Sequence, residues 1–129
     1  MHEEIPETLD ALARQVVDSA FKVHKALGPG LLESAYQSCL EIELRQRKVP
    51  FLAQHALPIR YEGVTVEGVY RIDLWVADQL IVELKSIDQL LPIHAAQLLT
   101  YLKLSGRRLG LLINFNTPRI KDGIKRIAL

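Results

Sequence analysis

Residues 70–85 read YRIDLWVADQLIVELK. Asp73 is the one acid inside the first apolar run, and Glu83-Leu84-Lys85 follows ten positions later. Side chains alternate along a strand, so Glu83 and Lys85 share one face. Whether Asp73 joins them depends on the turn. A three-residue loop, Ala77-Asp78-Gln79, pairs Val76 with Leu80 and sets Asp73 opposite Glu83. A two-residue loop without a bulge would send the two acids to opposite faces. An odd loop or a bulge is therefore required if the pair is to act together. Two facing carboxylates repel and are costly to desolvate unless a cation compensates them. Mg²⁺ or Mn²⁺ prefers such oxygen ligands. A lysine beside them can position water or stabilise charge on a phosphoryl group. The plainer reading, an acid–lysine salt bridge on an exposed strand face, stays open at this point.

The surrounding chain bounds the answer. It has 129 residues, 49% of them hydrophobic, and a net charge of +1, as expected for one folded domain spanning residues 1–129. No apolar run is long enough to span a bilayer, and the acidic N-terminus MHEEIPETLD lacks the apolar core of a signal peptide. A single cysteine, Cys39, excludes an intramolecular disulfide. These features predict a soluble, cytoplasmic protein with no membrane partner. The charge is uneven: Lys103, Arg107, Arg108, Arg119, Lys121, Lys125 and Arg126 face only Asp122 after residue 102. Such a basic rim beside an acidic pocket suits a phosphate backbone, and a solvated basic terminal helix fits equally well.

Taken in order, residues 7–26 carry Leu9, Leu12, Val16, Ala20 and Val23 at helical spacing, and Leu27-Gly28-Pro29-Gly30 stops that helix. A second helix is predicted from about Leu31 to Arg47, before Val49-Pro50. Residues 55–62, 64–76 and 80–85 read as strands, with a bulge at Gly68. Pro92 opens a helix that Gly106 closes, residues 109–115 form a central strand, and residues 119–128 a short final helix. The order α-α-β-β-β-α-β-α predicts an α/β fold, a mixed four-stranded sheet flanked by helices.

Two helical groups add to the hairpin. Glu33 and Tyr36 share one face of the second helix, and Glu33 can point back as a further acidic ligand. On the later helix His94, Gln97 and Tyr101 share a face; Gln97 and Tyr101 can bond a phosphate or the lysine, and His94 is a lesser candidate for substrate contact. Other chemistries find no support. Gly28-Pro29-Gly30 lacks the Lys-Ser/Thr of a phosphate-binding loop. The histidines and Cys39 are too scattered for zinc, no serine triad has a signature, and His24 and His55 receive no role.

Asp73, then Glu83-Leu84-Lys85, then Gln97-x-x-x-Tyr101 resembles the PD-(D/E)xK nuclease superfamily, in its RecB-like branch with a Q-x-x-x-Y helix. Ile72 stands where the superfamily's proline would be. More closely, Gly30, Glu33 and Tyr36, with HKALGPGLLESAY, IDLWV, VELKS, IHAAQLLTYLKLSG and GLLINFN, resemble the GxxExxY proteins over residues 8–127. The resemblance implies a restriction-endonuclease-like fold. It implies a Mg²⁺ or Mn²⁺ site at Glu33, Asp73 and Glu83, and a catalytic set of Asp73, Glu83, Lys85, Gln97 and Tyr101. The resemblance supplies no substrate; the leading expectation is hydrolysis of phosphodiester bonds in nucleic acid, DNA before RNA, by a homodimer or a subunit of a larger complex. The rival expectation is a catalytically silent binding or regulatory module on the same fold.

Overall fold

A computed structural model describes residues 4–129. Its elements are α1 (Glu7–Leu27), α2 (Glu33–Gln46), β1 (Phe51–Tyr61), β2 (Val64–Val76), β3 (Leu80–Lys85), α3 (Pro92–Ser105), β4 (Leu109–Asn114), a 3₁₀ turn (Ile120–Gly123) and β5 (Ile124–Ala128). The five strands form one sheet in the order β1-β2-β3-β4-β5. The pairings β1–β2, β2–β3 and β4–β5 are antiparallel, and β3–β4 is parallel because α3 carries the chain back to start β4 beside β3.

The alternation in the sequence explains the layers. Leu80, Val82 and Leu84 of β3 and Leu109, Leu111 and Ile113 of β4 pack with Leu9, Val16, Ala20 and Val23 of α1 and Tyr36, Leu40 and Leu44 of α2. The opposite face carries Ile81 and Leu112, packed with Leu98, Tyr101 and Leu102 of α3. Covered on both sides, β3 and β4 read as continuous apolar runs in the sequence. Among the described residues no helix is long and apolar enough to cross a membrane.

The expected four-stranded sheet with a terminal helix is corrected here. Residues 120–123 make one 3₁₀ turn, and residues 124–128 pair with β4 as a fifth strand. Ile120, Ile124 and Ile127 have the spacing of a helical stripe, which misleads. In a strand a step of three is odd. Ile124 therefore packs with the α1/α2 layer and Ile127 with the α3 layer. Gly123 enforces the turn, since an added Cβ would lie 2.1 Å from the Asn114 carbonyl oxygen. Gly123→Ala is expected to destabilise the fold by about 1–3 kcal/mol, read as a lowered midpoint in urea unfolding.

Two irregularities in the first hairpin set the register near the site. Between Leu57↔Tyr70 and Ile59↔Val66, β2 carries two more residues than β1; they bracket Gly68, whose φ of +76° makes it the expected bulge. The β2–β3 loop is Ala77-Asp78-Gln79, with Val76 paired to Leu80, so the odd loop is present. Ala77 and Asp78 both have positive φ, 48° and 59°, and the Gln79 amide closes back on the Val76 carbonyl at 3.0 Å.

Candidate active site

The β2–β3 ladder runs from Val76↔Leu80 to Leu74↔Val82 and stops one residue short of the acids. Beyond that point side chains take over from the main chain. The Asp73 amide donates to Glu83 Oε1 at 3.1 Å, and the Leu84 amide donates to Asp73 Oδ2 at 2.8 Å. The two carboxylates are thus brought together across the opening between the strands, as the odd loop requires.

Two glutamines absent from the sequence reading brace this point. Gln54 Nε2 donates to Asp73 Oδ1 at 3.2 Å and to Gln37 Oε1 at 2.7 Å. Gln37 Nε2 donates to the Asp73 carbonyl at 3.2 Å. Gln54 has φ of +49°, and neither it nor Asp73 joins the otherwise paired β1–β2 register. The one available signal was that Gln37 lies four residues after Glu33, on the same helical face.

Glu83 is only 6% exposed, and Lys85 makes no ion pair among the described residues, so the plain salt-bridge reading fails. Burial above all, then the Asp73 charge, pushes the Glu83 carboxyl up to about 8; the Asp73 amide bond and the Lys85 charge act the other way. Glu33, the first residue of α2, has its carboxyl raised by desolvation and then by Asp73, and lowered by Lys85. Three acids and a lysine therefore feel one another in one place.

Glu33 is held there by the turn before it. The Tyr36 hydroxyl donates to the Gly28 carbonyl at 2.5 Å and accepts from the Leu31 amide at 3.1 Å, while its ring stacks on Phe115 at 4.5 Å. Ser86, next to Lys85, donates to the Leu31 carbonyl at 2.5 Å. Tyr36 is fully buried and acts as a positioning residue, so it shares a helical face with Glu33 without reaching the acids' chemistry. Tyr36→Phe is expected to lower stability by about 1–2 kcal/mol, measured by thermal unfolding.

On α3 the group divides. Gln97 Nε2 donates to the Tyr101 oxygen at 3.0 Å. Burial, then the negative charge of Glu83, raises the Tyr101 phenol to about 12, which places this ring within the field of the acids. Its hydroxyl proton remains available to donate, because Gln97 supplies the bond into its oxygen. His94 instead caps its own helix, with Nδ1 accepting from the Leu91 amide at 2.9 Å. Tyr70, His94, Gln97, Thr100 and Tyr101 line an open groove of about 320 Å³.

A family model for the PD-(D/E)XK nuclease superfamily matches residues 10–127. The chain belongs to the PD-(D/E)XK nuclease superfamily. No curated protein and no solved structure gives a significant match. Nucleases of this superfamily generally use divalent metal ions. The donor set here fits one: all-oxygen, anionic, and so desolvated beside the Asp73 charge that the Glu33 and Glu83 carboxyls are raised despite Lys85. Among the described residues no three His, Cys, Asp or Glu side chains form a group that could hold a metal ion. Asp73 and Glu83 each turn one oxygen toward a main-chain amide.

Proposed function

We propose that this chain is a divalent-metal-dependent nuclease that hydrolyses phosphodiester bonds, acting on DNA. The observation that carries the reading is the juxtaposition of Asp73 and Glu83 across the opened hairpin, with Lys85 on the face of Glu83. Glu33, Asp73 and Glu83 would hold Mg²⁺ or Mn²⁺. When bound, such an ion polarises the scissile phosphate and lowers the pKa of water. Lys85 orients the attacking water and stabilises the charge that builds on the phosphoryl oxygens. Tyr101 donates its hydroxyl proton to a phosphate oxygen, and Gln97 keeps the phenol aligned. Gly30, Glu33 and Tyr36 support placing the chain with the GxxExxY proteins inside the superfamily.

One observation favours a second reading, a catalytically silent nucleic-acid-binding or regulatory module: the acids' oxygens are already engaged by amides. A cleavage panel of single-stranded, duplex and branched DNA and of RNA, with and without Mn²⁺, separates the two. Metal-dependent cleavage lost in Lys85→Ala supports the nuclease. Salt-sensitive binding that ignores metal, with no cleavage, supports the module. Light scattering tests the proposed homodimer.

A further inference from the structure

The basic stretch after residue 102 does not act as one rim. Arg107 pairs with Asp78 and lies over the Trp75 ring, Arg126 pairs with Asp10, and Arg108 donates to the Glu4 carbonyl. Arg119 and Lys121 are different. Both are exposed, neither makes an ion pair among the described residues, and both line a groove with Lys22 and Lys25 from the last turns of α1. Lys22 is the one of the four already matched, by Glu43 at 3.4 Å. The groove is open and measures about 510 Å³. Phe21, an aromatic ring 43% exposed, stands at its wall.

This groove is preorganised. His24 Nε2 bonds the Thr117 carbonyl at 2.8 Å, tying α1 to the loop that carries Arg119, and Ile120 anchors the turn in the core. It also lies at the end of the sheet that holds the candidate active site. The Phe115 amide donates to the Lys85 carbonyl at 2.9 Å, and Phe115 stacks on Tyr36. Lys25 precedes, and Glu33 follows, the same Gly28–Leu32 loop.

We infer that the groove of Lys25, Arg119 and Lys121 holds the phosphodiester backbone of a single nucleic-acid strand, with a base stacked on Phe21. Three cations lining one groove, without an ion pair among the described residues, suit a polyanionic backbone, and an exposed ring among them suits an unpaired base more than a duplex, whose bases are already stacked. The inference rests on the nucleic-acid substrate proposed above and assigns where that substrate extends beyond the reacting phosphate.

Fluorescence anisotropy of a labelled oligothymidylate in EDTA tests it, since without metal no cleavage intervenes. The K25A/R119A/K121A variant is expected to bind about a hundredfold more weakly at low salt. Its plot of log affinity against log salt should be flatter by about 2. Phe21→Ala should weaken binding about tenfold and leave the slope unchanged. The charge-preserving K25R/R119K/K121R variant should bind like wild type. Wild-type affinity and slope in the triple alanine variant overturn the inference, as does equal loss in the charge-preserving variant or failure of the wild type to bind any strand. Tighter binding of duplex, indifferent to Phe21, also overturns it. Groove-dependent binding without cleavage under Mn²⁺ overturns the nuclease reading alone. Cleavage by the triple alanine variant at wild-type KM overturns the groove alone.

Discussion

Lys85→Ala is expected to lower metal-dependent cleavage by about 10²–10³-fold while leaving the fold intact. Lys85 stands at the end of β3, half-buried, and no ion pair among the described residues depends on it. Its charge reaches both Glu33 and Glu83, lowering the carboxyls that burial raises. Removing it should leave kcat low at every metal concentration. A defect repaired by more Mn²⁺ would mean that the lysine serves only to hold the acids ionised. Single-turnover rates across a metal titration, with thermal midpoints alongside, decide between these. A variant that cleaves like wild type would remove Lys85 from the chemistry.

Glu83→Gln is expected to stabilise the metal-free protein above neutral pH and to abolish its response to metal. The Glu83 carboxyl rises from an ordinary 4.5 to about 8 in the folded chain. Between those values the folded state holds a proton that the unfolded state has released. The stability that Glu83 contributes is therefore full below about 4.5 and is lost as pH rises toward 8. Glutamine cannot ionise and keeps an oxygen for the Asp73 amide, so the variant should lack this part of the pH dependence. At pH 8 the variant should be ahead by a few kcal/mol, a rise of roughly 5 °C or more in Tm. Mn²⁺ should raise the wild-type Tm at pH 8 and leave the variant unmoved. Parallel pH profiles for the two proteins would show that Glu83 is not a strained acid.

The hairpin was legible because its logic is local. Once Val76 must pair with Leu80, Asp73 and Glu83 must meet, and the structure pairs Val76 with Leu80. The central strands announced themselves through runs that burial on both faces demands. What escaped depends on register accumulated over distance. Counting back from the tight turn between Tyr61 and Val64 sets Leu52 against Asp73. The bulge around Gly68 adds two residues to β2 and brings Gln54 to that place instead. Gln37 reaches the same spot from α2 through tertiary packing that no spacing encodes. The last strand was hidden for a different reason: of three isoleucines at helical intervals, Ile120 serves the 3₁₀ turn, while Ile124 and Ile127 serve opposite faces of the strand. Gly123 was the residue in that segment that spoke against a helix.

The stop in the β2–β3 ladder has a practical consequence. The main-chain N–H groups of Asp73 and Leu84 are bonded to the very carboxylates that would be recruited by an ion. Their proton chemical shifts are therefore native probes of the site, with no label placed in the pocket. The same bonds complicate mutagenesis. Asp73→Ala removes an anion and also strands the Leu84 amide, so a dead alanine variant is ambiguous. Asp73→Asn retains an oxygen for that amide and isolates the loss of charge.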